Sequence, residues 1–351
     1  MEKVKMYAED AVIIDNKIYC IGSKMSVLFS VNMENGDIKI IDRLPNEKLF
    51  LNQSSRRIIS WNGNLVFVPY GATAIHMYNI ADATWKNFDF VYESNYGNKY
   101  LEALLYNDKI IMIGAEEKNI LEFNLNTYEV KIVNSYFKEY KNPQEIFCRS
   151  GYVILNGYLY IAVAINNEIL KINLSNWESE TIRVGEDGSG FSGIAYDGDN
   201  FWLTPRRDGD IIIWDGKEKT EKYKLPFELI KGKCNFGGIF TDAQNLYLHG
   251  FEGKYSAIIN KKTKKIDYNE NQFVFLRDLN KEIILGQLKN SQILVYDVGK
   301  MNLFSCEIEK ERISDFYFSK VNNVKNSDLK CQNESGYFNL YDYFKYIKRK
   351  E

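Results

Sequence analysis

A repeat of about 44 residues runs through most of the chain and limits its fold more than any other feature. The two clearest copies, FSGIAYD at 191–197 and FGGIFTD at 236–242, lie 45 residues apart. Each copy continues through Asn into an apolar segment. The apolar residue that anchors this segment recurs seven times, at Ile18, Leu65, Ile110, Leu159, Phe201, Leu246 and Ile283.

A second column of residues advances in step with the first. In each copy an apolar residue is followed by Asn or Asp, at positions 32, 79, 124, 173, 215, 260 and 297. The steps between neighbouring members are 47, 45, 49, 42, 45 and 37 residues in both columns. Two columns that drift together indicate one structural unit that occurs seven times.

The pattern predicts four strands in each unit, and the third strand ends at the Asn or Asp. These residues suit the turn that follows, because their short side chains bond the next backbone groups and tolerate left-handed geometry. A content of 25 Tyr and 21 Phe also favours strands. A four-stranded blade cannot bury both faces alone, so the units are expected to stack into a ring. We predict an all-β, seven-bladed β-propeller of four-stranded antiparallel blades; the short last unit leaves six or eight blades as alternatives.

The third strands carry Tyr-Asn or Tyr-Asp with Trp soon after, as in Tyr78-Asn79 and Trp85. In this feature the chain resembles kelch-like (galactose-oxidase-type) bacterial β-propellers, and the likeness spans roughly residues 8–310. The resemblance implies a propeller fold. It leaves the activity open, because propellers host many functions.

Residues 312–351 fall outside the seven units. We therefore divide the chain into a β-propeller at 1–311 and a C-terminal extension at 312–351. Ile313–Ser319 predicts an added strand, and Leu340, Phe344 and Ile347 share one face of a final short helix that docks on the ring. The alternative is a tail that binds a partner or touches a membrane, since its end is rich in Lys and Arg.

Charge and cysteine content exclude several classes of protein. The chain has 45 Lys and Arg against 47 Asp and Glu, a net charge of -2, so we expect no nucleic-acid binding. The first ten residues lack the apolar run of a secretory signal, and no stretch has the length of a membrane span. Five widely spaced cysteines fit unpaired thiols in a reducing compartment. These features together predict a cytoplasmic protein.

The two histidines, His76 and His249, cannot build a zinc or haem site, so we expect no metal and no cofactor. A catalytic triad would need one of them. We expect His76 in a third strand and His249 in a loop that could face the channel mouth. The segment Gly188–Gly193, GSGFSG, matches the dinucleotide fingerprint, but a strand rather than a helix follows it. We interpret it as a turn between two units.

Propellers usually bind ligands where the inner strands begin and the loops between second and third strands converge. Alignment on the anchors predicts one shared depth in the inner strands for Asp10, Arg57, Glu102, Gly151, Ser192 and Gly237, with Arg149 two residues before Gly151. The loop Pro205–Asp210 adds Arg206 and Arg207, whose guanidinium groups suit carboxylates, phosphates and sugar hydroxyls. Tyr70 offers a stacking face in the corresponding loop of the second unit.

These residues support a binding module more than an enzyme. The leading hypothesis is a non-catalytic recognition module that binds a polar small molecule, glycan or peptide at the mouth of the central channel. The predicted ligand-binding residues are Arg57, Arg149, Arg206, Arg207, Tyr70, Glu102 and Asp10. A channel filled by water and ion pairs would explain the charged inner-strand residues equally well. The remaining alternatives are a carbohydrate-active hydrolase or lyase that uses Asp10 or Glu102, and a scaffold that holds a protein partner around Leu340 and Phe344.

Overall fold

The computed structural model describes residues 2–49, 51–90, 98–115, 119–134, 147–186, 188–279, 281–297 and 300–321. At 134, 147–151, 317, 318, 320 and 321 it describes the backbone alone.

Seven four-stranded antiparallel sheets, blades 1 to 7, follow one another along the chain, and this confirms the predicted seven-bladed β-propeller. Blades 1 to 4 consist of β2 (Ala8–Ile14), β3 (Lys17–Gly22), β4 (Val27–Asn32), β5 (Ile38–Arg43), β6 (Ser55–Trp61), β7 (Asn64–Pro69), β8 (Ile75–Asn79), β9 (Thr84–Phe88), β10 (Tyr100–Tyr106), β11 (Lys109–Gly114), β12 (Ile120–Asn124), β13 (Val130–Asn134), β14 (Phe147–Leu155), β15 (Tyr158–Val163), β16 (Glu168–Asn173) and β17 (Ser179–Arg183). Blades 5 to 7 consist of β18 (Phe191–Tyr196), β19 (Phe201–Pro205), β20 (Ile211–Trp214), β21 (Thr220–Tyr223), β22 (Phe236–Thr241), β23 (Asn245–Gly250), β24 (Ser256–Asn260), β25 (Ile266–Asn269), β26 (Phe273–Leu279), β27 (Ile283–Leu288), β28 (Ile293–Asp297) and β29 (Lys300–Phe304). Within each blade, consecutive strands are neighbours.

The two sequence columns lie at equivalent places in six blades. In blade 1 the anchor Ile18 pairs with Val31, the residue before Asn32, and the same relation holds through blade 6. In blade 7 Ile284 rather than Ile283 pairs with Tyr296. The predicted anchor of the seventh unit is therefore wrong by one residue, because β27 and β28 pair residues at even separations, such as 284 with 296, whereas the other blades pair residues at odd separations, such as 18 with 31.

Each inner strand has a register shift against the second strand of its blade. Asp10, Arg57 and Glu102 follow this bulge at equivalent positions, as predicted. Ser192 and Gly237 do not, because they lie within the bulge, and Gly193 and Gly238 occupy the equivalent positions. The register at Gly151 lies outside the described pairings. A bulge adds one residue to the inner strand, so alignment on the second strand misses it.

Apolar layers between neighbouring blades form the core. Between blades 1 and 2, for example, Leu28 and Phe67 are fully buried in one cluster with Ile58. Trp85 of β9 packs into this cluster, and its Nε1 donates to Asp42 Oδ2 of blade 1 at 3.1 Å. Contacts of this kind hold each blade against the next and fix the ring.

Two short strands, one before blade 1 and one after blade 7, meet where the ring closes. β1 (Lys3–Lys5) pairs with β30 (Glu307–Glu309) in a two-stranded sheet of its own. The buried Gln287 of blade 7 joins the start of blade 1, since its Nε2 donates to Met6 O at 2.8 Å and its Oε1 accepts from Ala8 N at 2.7 Å. Blade 1 and blade 7 thus close the ring without sharing a strand.

A helix, α1 (Lys310–Val321), follows β30. The predicted strand at Ile313–Ser319 is wrong, because Ile313 and Phe316 instead share a helical face that packs on the core cluster of blades 1 and 7. The helix predicted around Leu340, Phe344 and Ile347 lies outside the described residues. Among the described helices, none has the length and apolar character to cross a membrane.

Candidate functional site

Four charged side chains from consecutive blades meet at the inner strands. Arg57 of blade 2 binds both carboxylate oxygens of Glu102 in blade 3 through Nε and Nη2. Its Nη1 lies 3.8 Å from Asp10 Oδ1 of blade 1, and Asp10 Oδ2 accepts from Arg277 of blade 7. We call this set, Asp10, Arg57, Glu102 and Arg277, the central ion network.

Three members of the central ion network are buried, and Arg277 is partly exposed. The side chain of Asp10 is 0% exposed, that of Glu102 5%, and that of Arg57 10%. A backbone group also joins it, since Ile58 N donates to Asp10 Oδ2 at 2.8 Å. Burial opposes the charge of Arg57, but the carboxylates of Glu102 and Asp10 outweigh this effect and raise its pKa. The three predicted residues are therefore joined to one another and bound within the ring.

The far side of the ring has no room for such side chains. A Cβ on Gly193 of blade 5 would lie 2.7 Å from Ile239 N of blade 6. The inner strands of blades 5 and 6 approach too closely there for any residue but glycine. In the described part of the ring centre, charged side chains lie in blades 7, 1, 2 and 3, and glycine backbones lie close together in blades 5 and 6.

The remaining predicted residues lie on the face of the ring where the inner strands begin. Tyr70 stacks under Arg56, the bulge residue, whose guanidinium carbon lies 5.0 Å from the ring centroid. Arg206 is half-buried and its Nη1 donates to Ala164 O at 3.0 Å, whereas Arg207 is exposed. The side chain of Arg149 lies outside the described structure. The predicted set is therefore not one cluster.

A cavity of about 180 Å³ opens on the same face, between blades 4 and 5. We call it the inter-blade pocket. One wall is Gly188–Gly190, the first half of the segment interpreted above as a turn; these residues lie in the connection before β18, whereas Phe191–Gly193 belong to that strand. The loop predicted to bind a ligand also lines the cavity, through Asp208–Asp210. Its other lining residues are Asn167, Glu186, Phe191, Pro205, Ile212 and Lys222.

Asn167 holds the first wall in place. Its Nδ2 donates to Glu186 O at 2.7 Å and its Oδ1 accepts from Gly190 N at 3.1 Å. Gly190 has φ +84, and a Cβ there would overlap the carbonyl group of Ala164. Only glycine permits this close passage of the chain.

The pocket has polar walls and an apolar floor. Phe191, Pro205 and Ile212 are buried and form the floor. Asp208 and Glu186 are exposed, and Lys222 Nζ lies 3.0 Å from Glu186 Oε2. This hydrogen bond raises the pKa of Lys222. The carboxylates outnumber the cation, so the pocket suits hydroxyl or amine groups rather than anions.

Arg277 and most residues that line the inter-blade pocket were not predicted from the sequence. Arg277 lies two residues after Phe275, which occupies the position of Asp10 in blade 7, so a column of residues at the depth of Asp10 does not contain it. Asn167 and Glu186 belong to the blade before the predicted loop. The order of the repeats could have predicted them, because the loop of one blade must lie beside the last segment of the preceding blade.

Neither histidine is exposed. His249 lies in β23 and not in a loop, so that prediction is wrong; it is 7% exposed, and its Nε2 lies 3.4 Å from Phe273 O. His76 lies in the third strand β8, as predicted, and its Nε2 donates to Glu47 Oε1 at 3.1 Å. Within the described part of the chain, no group of three or more His, Cys, Asp or Glu residues could hold a metal ion.

No family model and no curated protein matches the chain. Among solved structures, virginiamycin B lyase from Staphylococcus aureus is similar with a TM-score of 0.61 and 13% identity, over 87% of this chain and 96% of its own. A catalytically inactive variant of that lyase with quinupristin gives a TM-score of 0.63 and 14% identity, over 83% and 94%. A structure of the mitotic checkpoint complex gives 0.56 and 7%, over 85% and 91%.

Identities this low establish the fold alone. The chain is a β-propeller, and the similar structures do not single out the kelch-like type. Because the neighbours include a lyase and part of a protein complex, the function has to be argued from the residues of this chain.

Proposed function

We propose that the protein is a non-catalytic recognition module that binds a polar small molecule or glycan in the inter-blade pocket. The observation that carries the proposal is that two segments distant in sequence, Gly188–Gly190 and Asp208–Asp210, line one cavity. This site lies on the predicted face of the ring, but between blades 4 and 5 rather than at the channel centre.

The chemistry of the walls favours a ligand with several hydroxyl groups. Carboxylates such as Asp208 and Asp210 accept hydrogen bonds from sugar hydroxyls, and the apolar floor suits the carbon face of a ring. A volume of about 180 Å³ equals the share of about six water molecules, which is the scale of one sugar unit. Arg207 lies on the same loop and is exposed, so it can contact a part of the ligand outside the pocket.

The central ion network supports a structural role better than a catalytic one. Asp10 and Glu102 both pair with arginines and are screened from water. Proton transfer by either carboxylate would require the pair to separate at the cost of a buried charge. We therefore assign no acid or base step to them.

A lyase is the second candidate, and the likeness in fold to virginiamycin B lyase supports it. In that lyase a variant with alanine in place of one histidine is catalytically inactive. Here His249 is buried between the rings of Phe251 and Phe273, which disfavours contact with a substrate. Consumption of quinupristin by the wild type, with loss of that activity in His249→Ala, would favour the lyase.

Binding to panels of glycans and small polar metabolites tests the proposal. We expect the wild type to bind a hydroxyl-rich ligand and Asp208→Ala with Asp210→Ala to weaken the affinity by about tenfold or more, since each lost hydrogen bond contributes roughly 1 kcal/mol or more. Isothermal titration calorimetry measures the change. Asp267→Asn, on the exposed edge strand β25, is the matched control and should leave the affinity unchanged.

A second variant tests the predicted arginines. Arg206→Ala with Arg207→Ala should also weaken binding, because Arg206 fixes the loop through Ala164 O. Equal affinity in this variant counts against the arginines, and equal affinity in the aspartate variant overturns the proposed pocket.

A further inference from the structure

The opposite face of the ring carries a second cavity, of about 410 Å³, between blade 1 and the first turn of α1. We call it the basic pocket. Its lining residues are Lys17, Ser30, Asn32, Asp37, Ile38, Lys39 and Arg312. It lies beside the turn between β4 and β5, whereas the inter-blade pocket lies where inner strands begin. The two cavities are therefore separate.

Sheet register explains why the polar residues converge. Lys17 of β3 pairs with Asn32 of β4, and Ser30 of β4 pairs with Lys39 of β5. Cross-strand partners, and residues two apart on one strand, share a face of the sheet. These four side chains therefore share one face of blade 1. Arg312 joins them from the adjoining helix.

Among the described residues, the cations of the basic pocket have no ion-pair partner. Lys17, Lys39 and Arg312 are exposed and form no ion pair with another described residue. One carboxylate, Asp37, lines the cavity, and its Oδ2 accepts from Asn35 Nδ2 at 3.0 Å. Three positive charges against one negative charge give the cavity a net positive charge.

Ser30 supplies a second and independent observation. It is 7% exposed, and its hydroxyl forms no hydrogen bond with another described residue, although it lines the cavity. Buried hydroxyls normally have a partner. The hydroxyl of Ser30 is thus available to a ligand at the floor of the cavity.

We infer that the basic pocket binds a small molecule that carries a phosphate group. Lysine ammonium groups, an arginine fork and a serine hydroxyl are the donors that phosphate oxygens accept from. The volume is in the range of small-molecule sites and exceeds that of phosphate alone, so the ligand has a polar body beside the phosphate. The inference does not depend on the inter-blade pocket.

Calorimetric titration with a hexose phosphate, the free hexose and inorganic phosphate tests this inference. We expect the hexose phosphate to bind, inorganic phosphate to bind more weakly and the free hexose not to bind. Lys17→Ala with Lys39→Ala should weaken the affinity by about tenfold or more, because both charge-assisted hydrogen bonds are lost. Ser30→Ala keeps every charge and should weaken it by a smaller factor.

Lys131→Ala with Lys300→Ala, on the exposed strands β13 and β29, is the charge-matched control. Its affinity should equal that of the wild type, as should that of Asp208→Ala with Asp210→Ala. No binding of hexose phosphate by the wild type would overturn the inference. Equal losses in the two lysine pairs, or equal affinity for the free hexose, would overturn it as well.

Discussion

Arg57 has two carboxylate partners in a place that water scarcely reaches. Glu102 binds its fork from one side and Asp10 approaches from the other. A buried ion pair adds little net stability, but the loss of one partner leaves a charge without compensation. The residue therefore fixes how blades 1, 2 and 3 meet.

Arg57→Met should lower the free energy of unfolding by about 3–5 kcal/mol, because it leaves two buried carboxylates beside an apolar side chain. The measurement is the denaturant midpoint. Arg57→Met with Glu102→Gln should recover part of the loss, since Asp10 keeps Arg277 as a partner. Wild-type stability in the single variant would show that the network does not hold the blades.

Glu47 joins the connection after blade 1 to blade 2. Its Oε1 accepts from Thr73 N at 2.6 Å, from Thr73 Oγ1 at 2.7 Å and from His76 Nε2 at 3.1 Å. Burial opposes the charge, but the hydrogen bonds from His76 and Thr73 lower the pKa of Glu47 below its ordinary value of 4.5. A lowered pKa means that the native protein favours the charged form.

Glu47 should therefore stabilise the protein above pH 4.5, and its contribution should fade as the pH falls through the lowered pKa. Glu47→Gln should cost about 1–2 kcal/mol at neutral pH and flatten the loss of stability in acid. Unfolding midpoints measured across this range test it, with the exposed Glu282→Gln as the control. Parallel pH profiles for wild type and Glu47→Gln would contradict this account.

At the scale of elements, strand order, turns and the pairing of second with third strands could be predicted from sequence, whereas the register of the inner strands could not. The anchor column gives each second strand because burial between blades demands apolar residues there. The anchor column contains no information about bulges in the inner strands. For this reason the alignment places Ser192 and Gly237 where the structure has Gly193 and Gly238. Ile313–Ser319 failed for a related reason, because a short apolar segment suits a strand or a helix until its packing partner is known.

The candidate site was predicted in part. The loop Pro205–Asp210 does line a cavity, but Asp208 and Asp210 rather than the arginines form its wall. Which side chains of a loop face inward depends on the neighbouring blade. The spacing of residues in one unit contains no such information.

Gly190 links the turn between blades 4 and 5 to the shape of the inter-blade pocket. Gly190→Ala should cost about 1–3 kcal/mol and displace the turn, because its φ is +84 and its Cβ would overlap Ala164. Gly198→Ala is the control, with a positive φ and nothing within 4 Å. We expect ligand affinity to fall in the first variant and not in the second. Equal affinities in the two variants would show that the position of this turn does not affect ligand binding.

At the scale of the whole molecule, the last blade of a ring must be held against the first. Here the closure is a side chain, Gln287, together with the pairing of β1 and β30. Gln287 also donates to Ser291 O at 3.0 Å, so one amide satisfies three backbone groups. The closure thus depends on hydrogen bonds that water cannot replace.

Gln287→Leu should lower the free energy of unfolding by about 3 kcal/mol, because the freed backbone groups stay buried. Amide hydrogen exchange should rise first in blades 1 and 7. Gln244→Leu changes an exposed glutamine and is the control. Uniform exchange across all blades would show that the ring does not open at this seam.

We assign the hydroxyl-rich ligand of the proposed function to the inter-blade pocket and structural support to the central ion network. A crystal structure with the ligand selected by the binding panels tests this division most directly. We predict density for the ligand between Gly188–Gly190 and Asp208–Asp210, with the pairs of Arg57 intact. Ligand density at the ring centre beside Arg57, with the inter-blade pocket empty, would contradict it.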